Sequence, residues 1–277
     1  MATKNKNQKV EDIFDKEVNI VKFIRDFHHE IKTFPNTRKM WELGLKILDE
    51  NKWDYWVDNS KDTLNPPDFY SNKYRLMMES MQVDEYNQTN ENGKMYNPYK
   101  QHEKRLLEEL AEKGIVNKDG FNIFIIPDGD KLIGMEHNYC LYLSEFKRVV
   151  QKHNQQIKQY RKNHPGFETI FLIFDTTSLY AESIVELTKS DTSAGNILMA
   201  DKIHEPYLDQ NFLNIISSLD CEYILWAMPY KNFTTEVWGD SEIPKINHLI
   251  LLKTDECKKI KPVDYKMERL VSVEDNT

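Results

Sequence analysis

The sequence predicts an α/β protein: a central mixed β-sheet flanked by helices, preceded by a helical N-terminal segment. Three observations predict it. Short, continuous apolar runs such as FLIF (171–174) and YILWAM (223–228) have the length of buried strands. Segments with apolar residues at three- and four-residue steps alternate with those runs. The chain has 277 residues, 40% of them hydrophobic, with 5 Trp, 14 Tyr and 13 Phe. It is long enough to bury a sizeable core and too aromatic for a solvated coil.

Residues 1–10 are polar and read as a frayed tail. Over 11–34, Phe14, Val18, Val21, Ile24, Phe27 and Ile31 make one apolar stripe of a helix. Pro35 breaks it, and Thr37 caps a second helix over 38–52. WDYWV (53–57) and YRLMMESMQV (74–83) read as strands, joined by a turn-rich link ending in Pro66-Pro67. Residues 86–100 form a polar loop, and 101–113 a helix stopped by Gly114. A hairpin over 121–143 turns at Asp128-Gly129. A long polar helix starts at Ser144 as N-cap and runs to about residue 162, ended by His164-Pro165-Gly166. A strand over 168–175, a loop at 191–195, a helix over 206–219 and strands over 222–228 and 248–252 complete the pattern. The expected organisation is a tail and helix (1–37), one α/β domain (38–262) with an insertion at about 86–143, and a loose, charged C-terminal tail (263–277).

Acidic residues outnumber basic ones, 45 to 37, for a net charge of −8. That balance speaks against coating nucleic acid without specificity but leaves room for a locally basic cleft. Such an island exists at 147–162, with Lys147, Arg148, Lys152, Lys158, Arg161 and Lys162. It suits either phosphate contacts or a solvated face paired with acidic neighbours. Cys140, Cys221 and Cys257 are far apart and include no C-x-x-C, so they read as free thiols in a reducing compartment. No apolar run approaches the ~20 residues of a membrane span. The N-terminus lacks the apolar centre of a signal peptide. The expectation is a cytoplasmic protein without a membrane partner.

The chemistry concentrates in 54–85, DYWVDNSKDTLNPPDFYSNKYRLMMESMQVDE. A helix precedes a strand, then a Pro-Pro-Asp turn, then a strand with Glu79 at its middle. Along that strand Glu79, Met81 and Val83 share one face. An aspartate at a strand start and a glutamate on the neighbouring strand can converge into a hard-oxygen site of the kind that holds Mg²⁺ with several waters. A metal there would activate water and offset charge on a scissile phosphate.

Pro67-Asp68, ten further residues and then Glu79-Ser80-Met81 resemble the motif of the PD-(D/E)XK nuclease superfamily, which includes restriction endonucleases and RecB-type exonucleases. The α-β-β-β-α-β order of predicted elements is similar to the core of that superfamily. Gln156 and Tyr160 on the long helix look like the Q-x-x-x-Y signature of its RecB-type branch. The resemblance covers roughly 38–230. It implies a restriction-endonuclease-like core and a Mg²⁺- or Mn²⁺-dependent DNA endonuclease or exonuclease, with phage or host defence as a setting. Asp68 and Glu79 would be the catalytic metal ligands, with Glu42 on the preceding helix as a third. Gln156, Tyr160 and Arg148 would bind substrate.

One position departs from the pattern: the motif lysine falls on Met81. Lys152 or Lys158 on the long helix would then supply the charge. Lys73 is too distant, about 20 Å from Glu79 along an extended strand. Alternatively the fold has lost catalysis and serves binding, as a phage counter-defence protein holding a host nuclease complex would. Ordinary structural roles also stay open: Asp68 capping a turn, Glu79 pairing a nearby cation, Glu42 as a solvated charge.

Pro127-Asp128-Gly129-Asp130 with Glu136 is a second match to the motif, at short spacing and on the expected hairpin turn. Asp175 ends a strand where α/β sheets present polar groups, or caps the turn that follows. His28, His29 and His102 show no ligand spacing. No Gly-rich phosphate loop and no G-x-S-x-G occur, which disfavours P-loop and α/β-hydrolase chemistry.

Overall fold

The computed structural model describes residues 21, 24, 31–60, 66–84, 88–89, 95–96, 138–183, 200–229, 231 and 248–272. The chain divides into two compact units, 1–19 with 86–135, and 20–85 with 136–277. In the first, β5 (Gln88–Thr89) and β6 (Met95–Tyr96) pair as an antiparallel ladder.

The second unit is of the α/β class. Its first described elements are β1 (Ile31–Phe34), α1 (Arg38–Leu48), α2 (Glu50–Trp53), β2 (Val57–Asp58), β3 (Phe69–Ser71) and β4 (Leu76–Val83). There follow α3 (Tyr139–Asn154), α4 (Ile157–Asn163), β7 (Glu168–Asp175), β8 (Tyr180–Ser183), β9 (Ala200–Ile203), α5 (Gln210–Ile216), β10 (Tyr223–Ala227), β11 (Leu249–Lys253) and β12 (Leu270–Ser272). A seven-stranded mixed sheet has the order β1-β11-β10-β7-β4-β3-β2. β4, β7 and β10 run parallel, β2-β3-β4 is an antiparallel meander, and β1 pairs in parallel with β11.

The central strands form where the sequence is apolar on both faces, because both faces are covered. Register puts Glu79, Phe171, Ile224 and Leu252 in one row across the sheet, and Met81, Ile173, Trp226 and Ile250 in the next row on the same face. That face meets the buried side of α3, with Tyr142, Phe146, Val149 and Val150, and α5, with Phe212, Leu213 and Ile216. The opposite face, which includes Leu251, meets α1. A Cβ on Gly44 of α1 would lie 3.0 Å from Ile31 Cδ1 and 3.8 Å from Leu251 Cδ2, so the glycine sets how near the helix comes.

Several expectations shift. Ile31–Phe34, expected at the end of a helix, is a strand, because β11 offers it a parallel edge. Helicity remains at Val21 and Ile24. The strand expected at 53–57 is reduced to Val57–Asp58, with Trp53 closing α2. The long helix starts at Tyr139 with Asn138 as N-cap, not at Ser144; Asn138 Oδ1 accepts the Cys140 N–H at 2.7 Å. It breaks at Gln155-Gln156 into α3 and α4. The C-terminal stretch expected to be loose contains β12, which pairs with β8 in a small sheet of order β12-β8-β9. The strand over 168–175 lies where the sequence puts it. The helix at 101–113, the loop at 191–195, Asp128, Asp130, Glu136 and the histidines at 28, 29 and 102 lie outside the described residues. Among the described residues no helix is long and apolar enough to cross a membrane.

Candidate functional site

The site assembles where β3 begins, β4 passes and α3 gives way to α4. Three hydrogen bonds to backbone carbonyls hold the Pro66-Pro67-Asp68 turn. Asn163 Nδ2 donates to Pro66 O at 2.7 Å, Asn59 Nδ2 to Pro67 O at 3.3 Å, and the Asn59 N–H to Asp68 O at 2.6 Å. Continuing the Phe69–Met78 register by one step sets Asp68 across from Glu79. Asp68 Oδ2 accepts the N–H of Ser80, the residue after Glu79, at 2.8 Å.

Glu79 is 6% exposed, on a strand face it shares with the apolar Met77, Met81 and Val83. Its Oε1 lies 3.0 Å from His153 Nδ1 on the last turn of α3. Its Oε2 is buried without a hydrogen-bond partner. Tyr160 on α4 is fully buried and donates to Gln156 Oε1 at 2.8 Å. Burial, then the neighbouring charge of Glu79, then that of Asp68, push the Tyr160 hydroxyl far above the ordinary tyrosine range. Asp68, Glu79, Gln156 and Tyr160, read from the sequence as one site, are therefore neighbours.

The other expected residues are not gathered there. Glu42 lies on the exposed side of α1 and binds Arg38 Nε at 2.7 Å, on a helix that covers the face opposite Glu79. Among the described residues no three His, Cys, Asp or Glu side chains converge as metal ligands, so a set of Asp68, Glu79 and Glu42 does not form. Arg148 is tied to Glu145 on its own helix, Nε to Oε2 at 2.7 Å. Arg161 is engaged by Glu222 Oε1 at 2.9 Å and Asp220 O at 2.6 Å. The basic island is thus partly neutralised. Lys152 and Lys158 are exposed. Met81 is buried in the core beneath α3. Lys73 sits in the turn after β3, its ammonium 3.1 Å from the centre of the Tyr55 ring.

His153 escaped the sequence reading. The signal was its position three residues before Gln156 and seven before Tyr160, on one side of a helical stretch.

A second polar cluster lies on the same sheet face, at the end of β7. Asp175 accepts from Tyr142 Oη, from Trp226 Nε1 at 3.0 Å, and from the Thr177 N–H and hydroxyl at 3.0 and 2.6 Å. The Lys231 ammonium, almost wholly buried, donates to Thr177 Oγ1 at 2.7 Å and Ser178 O at 2.9 Å, and lies 3.7 Å from Asp175 Oδ1. Nearby, Asp209 accepts from Tyr139 Oη at 2.7 Å and stands 2.8 Å from His204 Nε2. Asp175 both ends its strand and caps the next turn. Its donors are internal, which makes this cluster a structural tie.

No family model, no characterised protein and no solved structure matches the chain. The site therefore rests on its own geometry.

Proposed function

We propose that the protein is a divergent metal-dependent nuclease of the PD-(D/E)XK type, hydrolysing phosphodiester bonds in DNA. One observation carries the reading: a buried glutamate oxygen, Glu79 Oε2, is left without a partner beside a second carboxylate, Asp68. A buried, unpaired carboxylate oxygen is costly unless something binds it. Two carboxylates fit Mg²⁺ or Mn²⁺, which keeps several waters and needs only one or two protein carboxylates. When bound, such an ion supplies an activated water and offsets charge on the scissile phosphate.

The chain's own residues do the rest. Asp68 and Glu79 hold the ion. Tyr160 fixes the exposed Gln156 at the rim, where its amide can orient a phosphate. The connectivity supports the same reading: a helix, the β2-β3-β4 meander, then a crossover through α3 and α4 into the parallel neighbour β7. The decisive experiment is plasmid cleavage with Mg²⁺ or Mn²⁺. The wild type should cut and Glu79→Ala should not. No cutting, with no metal-induced rise in thermal stability, refutes the proposal.

A second reading is a non-catalytic binding protein on the same fold. Met81 favours it, because the motif lysine is replaced by a core side chain. In that case a protein partner should be recovered by pull-down, and Asp68→Ala should leave its binding intact.

A further inference from the structure

We infer that His153 is the positioning residue for Glu79, holding its carboxylate so that Oε2 alone faces a divalent cation. The inference rests on the nuclease reading above and adds to it a residue contributed by the helix. A carboxylate oxygen can only accept, so His153 Nδ1 must carry the hydrogen it shares with Glu79 Oε1 at 3.0 Å. That bond uses one oxygen of a side chain that is 8% exposed and leaves the other, Oε2, buried and unpartnered.

The asymmetry has a physical consequence. Without the imidazole Oε1 would lose its donor as well, and the carboxylate would be free to swing toward water. With it, the carboxylate plane is fixed and one lone-pair set is presented. Partners of this kind, which orient a metal ligand through a hydrogen bond, typically change metal affinity by about 10–100-fold.

The donor also comes from where the strand cannot provide one. Met81 shares the face of Glu79 but ends in a thioether packed in the core. The nitrogen that meets Glu79 comes instead from α3, as the imidazole of His153. Because α3 runs into the Gln156 and Tyr160 turn, one helical stretch sets both the orientation of Glu79 and the rim of the site.

The test is Mn²⁺ titration of the full chain, reading free Mn²⁺ by electron paramagnetic resonance. The variants are His153→Asn, His153→Gln, His153→Leu and Glu79→Gln. Asparagine can set its amide N–H near the place of Nδ1, whereas glutamine reaches too far and leucine donates nothing. The expected result is a Kd raised about 10–100-fold in His153→Leu and His153→Gln, and largely restored in His153→Asn. High Mg²⁺ should recover cleavage in these variants but not in Glu79→Gln. Should His153→Leu fail to fold, the Asn and Gln pair decides alone. Mn²⁺ affinities for both within about threefold of wild type overturn the role of His153 while leaving the metal site standing. A wild type that binds no Mn²⁺, or a Glu79→Gln protein that binds it equally, overturns the nuclease reading and this inference together.

Discussion

Asp68 and Ser80 are joined across two strands, the Oδ2 of Asp68 accepting the backbone N–H of Ser80 at 2.8 Å. The aspartate is thereby both a candidate ligand and a backbone partner, and two substitutions separate those roles. Asp68→Asn keeps an acceptor and should melt near the wild type while losing metal-dependent cleavage. Asp68→Ala leaves the Ser80 N–H unpaired and should cost about 1–3 kcal/mol in urea unfolding. Equal stability of the two variants would show that the cross-strand bond contributes nothing.

Met81 sits on the Glu79 face, but its side chain fills space under α3. Met81→Lys restores the motif residue and should still destabilise the protein, by roughly 2–4 kcal/mol, because the ammonium enters a region built for a thioether. Urea denaturation at neutral pH checks it. A lysine variant as stable as the wild type would contradict this packing.

The Asp175 and Lys231 pair should respond asymmetrically to mutation. Asp175→Ala strips acceptors from Tyr142, Trp226 and Thr177 and leaves Lys231 as a buried charge. A loss of about 3–5 kcal/mol is expected. Lys231→Met leaves Asp175 with its four neutral donor groups and should cost clearly less. Denaturant midpoints of the two proteins, measured side by side, settle the order, and a reversed order refutes it.

Stability should fall on acidification below about pH 6.5. Burial drives His204 below its ordinary value of 6.5, against the smaller opposing pull of Asp209, and burial lowers His164 as well. As pH drops, the unfolded chain binds these protons first, so the folded state loses ground from about pH 6.5 downward. Asp209 is held below its ordinary 3.8 by His204 and Tyr139, despite burial. Its contribution, present above that value, is lost at still lower pH. His204→Phe should flatten the slope of unfolding free energy between pH 7 and 5. An unchanged slope would exclude His204 as a cause.

The three thiols should differ in reactivity. Cys140 is exposed, whereas Cys221 and Cys257 are buried, and desolvation pushes both of their thiols up to about 12. The thiolate is the reacting form. A chromogenic disulfide at pH 8 should therefore titrate one thiol quickly in the native protein and all three after unfolding. Rapid reaction of two or more in the native protein is the contrary result.

Some of this was legible in the sequence because burial writes directly into composition. β7, β10 and β11 are covered on both faces and appear as unbroken apolar runs. Asp68 and Glu79 could be placed opposite each other because strand alternation and a short connection leave few alternatives. The start of α3 was hidden. Its first turn, YCLY, carries aromatic residues that suit a strand equally well, and only the burial of Tyr139 and Tyr142 on one side resolves the period as helical. β1 continued an amphipathic stripe, and its strand conformation depends on β11, far along the chain. β8, β9 and β12 are short and pair across long separations, so no local pattern marks them. The contact of His153 with Glu79 was invisible for a related reason. It requires the rotational phase of a helix against a strand, which spacing within either element does not set.

The far edge of the large sheet bears on the order of folding. The strands and helices that frame Asp68 and Glu79 lie between β2 and β7, whereas β1 must wait for β11 before it has a partner. Pairing between distant segments costs closure entropy before its contacts repay it. A chain emerging from the ribosome can therefore assemble the carboxylate pair while its opposite edge is still open. That open edge is where an unfinished molecule would pair with a neighbour instead of with itself.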